Sequence, residues 1–298
     1  MPQPCEQSVV VHLGLPRTGT TTIQHILAED PRIQFTSRRI FQLPELRAIY
    51  RDSSMDSRGT LVVSDETLLR QDGSYSKMAV TLWRIRSISQ SAKLVLTIRE
   101  QRDWLSSRYK YGVGTGTVSC SFEEWLKSRQ GSDFVSLAHY GALCRTILAF
   151  FPRDQLVVLP FELLRDNYSE FFRQLYETLE LEPIDLPPGV RRNQSMAPSL
   201  LHWKRRANRL SLFQHAPFSP RARRHSLQAA ALTKLARIAH SVFGNHDSAS
   251  SEEYIWPDTE YCSSLLEDFA ISNLELERMM ELGIINYGYA GSSADSMT

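Results

Sequence analysis

The sequence predicts an α/β fold, a parallel sheet flanked by helices with a mostly helical C-terminal part, and three observations predict it. Short, continuous Val/Leu runs alternate with segments of helical character, the pattern of parallel strands covered on both faces. The first run passes through a glycine-containing loop directly into a helix start, and the residues after 190 read as helices. The strand-like runs are Val9 to Gly14, Thr60 to Ser64, Leu94 to Ile98 and Leu156 to Leu159. A Pro-rich stretch, EPIDLPPG at 182–189, closes the last of these units, so residues 1–190 read as the α/β core and 191–298 as a helical extension packed on it. The final GSSADSMT reads as a frayed tail.

Composition sets outer bounds. With 298 residues, 42% of them hydrophobic and 22% charged, the chain has globular composition and can bury a sizeable core. No apolar run approaches the roughly 18 residues of a membrane span, and MPQPCEQ has neither the charged nor the apolar region of a signal peptide. The expected compartment is therefore the cytosol. Cys5, Cys120, Cys144 and Cys262 lie far apart without a C-x-x-C, and the eight histidines form no ligand spacing. Reduced thiols and no metal site are the expectation.

The chemistry concentrates in residues 12 to 22, HLGLPRTGTTT. A strand, a loop and a helix start in series place unpaired backbone N–H groups and the positive end of the helix dipole at one point, which favours a phosphate there. Gly14 and Gly19 allow close backbone approach, Arg17 adds a fixed charge, and Thr18, Thr20, Thr21 and Thr22 add hydroxyl donors. The two glycines have P-loop spacing, but Thr20 stands where the P-loop lysine would be and the cation has moved inside the loop, to Arg17. The core is thus P-loop-like without being a standard P-loop.

This loop resembles the 5′-phosphosulfate loop of the sulfotransferases, close to G-x-P-[KR]-[ST]-G-[ST]-[ST]. A second stretch, KLVLTIREQRDWLSSRYK from Lys93, resembles the same family's R-[DE]-P-x-x-R-x-x-S-x-Y segment, with Arg99 at a strand end and Ser107 eight positions on. Gln101 departs from the usual proline. The resemblance implies a co-substrate, 3′-phosphoadenosine 5′-phosphosulfate (PAPS), whose 5′ end lies on Arg17 and residues 18–22 and whose 3′-phosphate lies on Arg99 and Ser107. Its product is 3′-phosphoadenosine 5′-phosphate (PAP), and the reaction implied needs no metal. RRNQS, with Arg191, Arg192 and Asn193, is similar to the family's loop that closes over the nucleotide, and LPFELL at 159–164 resembles the turn after its fourth strand.

Sulfuryl transfer needs a cation for the departing phosphate oxygen and a base for the acceptor proton. Arg17, always protonated, takes the purely electrostatic role. LVVSDETLL at 61–69 puts Glu66 just past a strand, where it resembles the S-x-E segment of carbohydrate sulfotransferases. Glu66 reads either as the general base or as a helix-capping acid after Ser64. Asp65, Glu29 and His12 are the alternatives for the base, although His12, on the first strand, also reads as a satisfied core histidine. Tyr109, Tyr111 and GVGTGT at 112–117 form either an acceptor wall with a mobile loop or simply a turn.

Residues 186–246 carry eleven Lys or Arg and no acid, in a chain of net charge +1. Two helices, about 197–213 and 220–243, are expected there. They read as a lid with Arg205, Arg206, Arg209, Arg221, Arg223 and Arg224 facing an anionic acceptor or membrane surface, or as solvated helix faces; no nucleic-acid motif is present. The terminal EYCSSLLEDFAISNLELERMMELG resembles the last helix of bacterial carbohydrate sulfotransferases, which favours a sugar or glycolipid acceptor. A small-molecule or nucleotide kinase and a non-catalytic anion- or glycan-binding protein are the competing readings.

Overall fold

The computed structural model describes residues 8–37, 59–69, 75–185, 198–210 and 256–291. Its sheet unit opens with β1 (Val9–His12), α1 (Thr20–Glu29), β2 (Ile33–Thr36), β3 (Thr60–Ser64), α2 (Tyr75–Ile88) and β4 (Lys93–Ile98). Then come α3 (Gln101–Thr115), α4 (Phe122–Lys127), α5 (Arg129–Ala138) and α6 (Tyr140–Leu148). They are followed by β5 (Leu156–Pro160), α7 (Phe161–Asp166), α8 (Tyr168–Thr178), α9 (Pro198–Leu210) and α10 (Glu260–Met280). Chain contacts divide the protein into two compact units, one of Met1–Gln101, Ser136–Arg192 and Leu266–Thr298, the other of Arg102–Val135 and Asn193–Leu265.

The first unit holds a five-stranded sheet of order β2-β3-β1-β4-β5, parallel at every pairing. Every residue of β1 and β3 is buried, as expected of strands covered on both faces. Val10, Val62 and Val95 share a core with Ile23, Ile26 and Leu27 of α1 and Phe171, Phe172 and Leu175 of α8. Burying each such side chain stabilises by about 1.5–3 kcal/mol. β2 was not expected: it is an edge strand, IQFT, with only Ile33 buried. The first strand also stops earlier than expected, at His12, because Leu13 to Gly14 already belong to the loop. With β1 central and its neighbours β3 and β4 on either side, the strand order turns beside β1, which puts the carboxyl ends of these three strands where ligands bind in open α/β sheets.

In the second unit, Trp125 stacks between Phe122 and Phe134 at centroid distances of 6.0 and 5.9 Å, and Tyr109 lies 5.2 Å from Phe122. Among the described residues no helix is long and apolar enough to cross a membrane.

Candidate functional site

The loop between β1 and α1 is built on glycine. A Cβ on Gly14 would lie 2.6 Å from Thr20 Cγ2 and 2.8 Å from the His12 imidazole, and one on Gly19 would strike Leu164. Gly19 has φ +82° and forms the N-cap of α1; no side chain caps the helix and no acid lies in its first turn. Arg17 also has positive φ, 74°, an uncommon conformation for a residue with a side chain that concentrates at functional sites. A helix start with its own cap withheld, behind a loop whose glycines let His12, Thr20 and Leu164 pack against its backbone, fits a phosphate.

The four threonines do not act alike. Thr18, expected to offer its hydroxyl to the phosphate, instead turns it inward, donating to the Leu15 carbonyl at 2.5 Å and lying 2.7 Å from Thr97 Oγ1. Its side chain is fully buried and braces the loop from beneath. Thr20 is committed sideways: its hydroxyl donates to Glu66 Oε2 at 3.1 Å. Thr21 is exposed and Thr22 half-buried, both in the first turn of α1.

The four carboxylate and imidazole candidates separate clearly. Asp65, buried, accepts the Thr67 N–H at 2.8 Å and the Thr67 hydroxyl at 2.7 Å, so Asp65 caps the turn that follows β3. Glu66 is exposed and meets the phosphate loop through Thr20. Glu29 is the last residue of α1 and pairs with His25 at 3.1 Å, a helix length, about 15 Å, from the loop. His12 is buried, with Nδ1 2.8 Å from Ser64 Oγ and Nε2 3.4 Å from Thr97 Oγ1. Burial lowers its pKa to about 4, and it is a satisfied core histidine.

Arg99 follows β4 directly. Its Nη1 donates to the Arg17 carbonyl at 3.5 Å, and its guanidinium carbon sits 4.8 Å from the Phe161 ring centroid. The structure thereby joins Arg17 and Arg99, 82 residues apart. Residues that sequence reasoning did not select hold Arg99 in place. Tyr140 donates to its carbonyl at 2.6 Å, while Glu162 accepts the Glu100 N–H at 3.0 Å and the Tyr289 hydroxyl at 3.0 Å. Burial pushes the Glu162 pKa up. The only signal for Phe161 and Glu162 was the LPFELL turn. Gln101, standing where proline is usual, is buried and donates to Asn273 Oδ1 at 2.6 Å and the Ala138 carbonyl at 3.3 Å, anchoring the start of α3. Ser107 lies farther along α3, in the second unit.

Several readings of the second unit are corrected. Tyr109 is no acceptor wall: it is buried and donates to the Cys120 carbonyl at 2.9 Å. GVGTGT is the end of α3 and its cap, with Gly116 at φ +81° and the Thr117 and Val118 N–H groups bonded to the Gly112 carbonyl at 2.9 and 3.1 Å. Tyr111 remains half exposed, beside the Arg108 guanidinium at 5.2 Å. Arg205 is buried and donates to Tyr109 Oη at 3.5 Å, and Arg209 donates to the Ser119 carbonyl at 2.9 Å. Both arginines therefore fasten α9 to α3 and its following turn; Arg206 is exposed, over the Trp203 ring at 5.4 Å. Arg191, Arg192, Asn193, Arg221, Arg223, Arg224 and the 220–243 helix lie outside the described residues.

Residues 10–88 match the family model described as the Sulfotransferase family. No curated protein sequence matches the chain. Similar solved structures include a sulfotransferase from Alicyclobacillus acidocaldarius, 20% identical over 70% of this chain and 91% of that one, TM-score 0.49. Another is the sulfotransferase domain from the curacin biosynthetic pathway, 13% identical over 60% and 76%, TM-score 0.41. Mouse sulfotransferase SULT7A1 complexed with PAP is 12% identical over 60% of each chain, TM-score 0.38. The family match spans β1, the loop that follows it, α1, β3 and Glu66, and over this stretch the chain is similar to the sulfotransferase family.

Proposed function

We propose that this chain is a sulfotransferase that moves the sulfuryl group of PAPS to a hydroxyl of a sugar or glycolipid, with Glu66 as the base and Arg17 as the charge acceptor. The acceptor oxygen attacks sulfur in line with the departing phosphate oxygen, its proton passes to Glu66, the S–O bond to phosphate breaks, and a sulfate ester and PAP result. Arg17 and the uncapped start of α1 face the negative charge that grows on the departing oxygen, and charge stabilisation of this kind carries most of such a transfer. Arg99 holds the 3′-phosphate, as the resemblance implies.

The observation that carries the reading is the Thr20–Glu66 hydrogen bond of 3.1 Å. It brings an exposed carboxylate against the phosphate loop while its neighbour Asp65 is occupied in capping the turn. A kinase reading gains nothing from the same geometry, since the residue in the P-loop lysine position is a threonine committed to that carboxylate. The test is transfer of label from PAPS to a panel of neutral sugars, glycolipids and phenols, with Glu66→Gln alongside. Labelled sugar esters from the wild type and almost none from the variant support the reading. Labelling of phenols alone overturns the acceptor class, and full activity of the variant overturns the base.

A further inference from the structure

We propose that His12 is a positioning residue for sulfuryl transfer, the node of a buried hydrogen-bond chain that sets the spacing between the phosphate loop, Glu66 and Arg99. The inference rests on the reading of the site given above. Its foundation is the topology: His12 ends the central strand, beside Ser64 at the end of β3 and within reach of Thr97 near the end of β4. Each of those partners stands two residues before a candidate functional group, Ser64 before Glu66 and Thr97 before Arg99. The third partner set is the loop itself, through Thr18.

The chain of bonds has one consistent direction. Thr18 donates to the Leu15 carbonyl at 2.5 Å, so across the 2.7 Å contact between the two hydroxyls Thr97 must be the donor. Thr97 oxygen then accepts from His12 Nε2–H at 3.4 Å, which leaves Nδ1 to accept from the Ser64 hydroxyl at 2.8 Å. The Ser64 oxygen in turn accepts from the Gln24 amide at 3.1 Å. Only a neutral imidazole protonated on Nε2 completes this path; the tautomer is assigned from the network. His12, Thr18, Ser64 and Thr97 are all buried, so each lost partner leaves a polar atom in a place that water does not readily fill. The imidazole also forms the floor of the loop, since Cε1 and Nε2 both stand 2.8 Å from where a Gly14 Cβ would be.

Three variants separate this role from simple filling of space. His12→Gln keeps a planar donor and acceptor, His12→Leu keeps apolar bulk alone, and Thr97→Val cuts the chain one link away at nearly constant shape. PAP binding by calorimetry and the kcat and KM of PAPS turnover are the readouts. We expect His12→Leu and Thr97→Val to weaken PAP binding and lower kcat by about 10- to 100-fold each, the scale set by misplacing a site by roughly 1 Å, with His12→Gln recovering most of both. Unchanged binding and kcat in a folded His12→Leu, or equal losses in His12→Leu and His12→Gln, would overturn the role. Should neither His12 variant fold, wild-type behaviour of Thr97→Val overturns it alone. Failure of the wild type to bind PAP would instead defeat the PAPS reading.

Discussion

Helices α1 and α4 begin in opposite ways. At α4, Ser121 accepts the Glu124 N–H at 3.3 Å and Glu124 returns the favour to the Ser121 N–H at 2.8 Å, with Glu123 and Glu124 supplying negative charge to the first turn. That helix start is complete within its own sequence. At α1 the cap is a glycine with φ +82°, no side chain caps the helix and no acid precedes the second turn. The polar side chains that could have served are engaged elsewhere, Thr18 beneath the loop and Thr20 on Glu66. The difference teaches what a ligand would have to supply: one start is satisfied by the chain, and on the proposed reading the other is satisfied by the nucleotide's phosphate.

The comparison is broken most severely at Glu66. Glu66→Gln should lower turnover by about 10²- to 10⁴-fold and leave PAP affinity nearly unchanged, because the base acts on the acceptor proton; steady-state kinetics beside calorimetry measures both. Arg99→Ala comes next, removing the guanidinium that Phe161 and the Arg17 carbonyl hold in place. It should cost about 2–5 kcal/mol of PAP binding and erase the preference for PAP over AMP in a titration.

A pH effect of similar size follows from His12. Its pKa of about 4, against an ordinary 6.5, means that the native state binds fewer protons than the unfolded chain between those values. Stability therefore rises with pH through this window and is lost as pH falls from about 6.5 to 4, by up to about 3 kcal/mol for this one group. Denaturant melts across that range should show the slope, and His12→Gln should flatten it.

Smaller effects sharpen the contrast between the two helix starts. Gly19→Ala forces a side chain into left-handed backbone and against Leu164, and should cost about 1–3 kcal/mol together with nucleotide binding. Ser121→Ala should cost about 1 kcal/mol of stability and leave nucleotide binding untouched. Equal loss of nucleotide affinity in both variants, measured by calorimetry, would dissolve the distinction.

Much of this was legible in sequence, and the reasons for the remainder are physical. β1, β3, β4 and β5 announce themselves because strands buried on both faces are continuous apolar runs. β2 does not, since Ile33–Thr36 is a short edge strand with a single buried residue. Spacing and resemblance marked Arg17, Gly19 and Arg99 as candidates, but the inward turn of Thr18 left no trace in the sequence, because a hydroxyl in a loop carries no mark of the carbonyl it will meet. The His12 chain joins partners 52 and 85 residues away, which no local pattern encodes. Glycines at 112 and 114 suggested a loop, yet α3 runs through to Thr115. There Gly112 packs against Val118, and Asn208 donates to the Val113 and Val118 carbonyls at 2.9 and 2.8 Å. Arg205 read either as a lid charge facing an acceptor or as part of a solvated helix face, and its buried contact with Tyr109 fits neither.

The central claim is that the uncapped start of α1 and Arg99 together hold one nucleotide by its two phosphates. Thermal unfolding of the wild-type protein with PAP, AMP or Mg-ATP, each at the same concentration, tests it most directly. At a hundredfold excess over its dissociation constant PAP should stabilise the fold by about 2.7 kcal/mol, with AMP, which lacks the 3′-phosphate, far behind and Mg-ATP no better than AMP. Equal shifts with PAP and AMP would contradict the claim, and a larger shift with Mg-ATP would point to phosphoryl transfer instead.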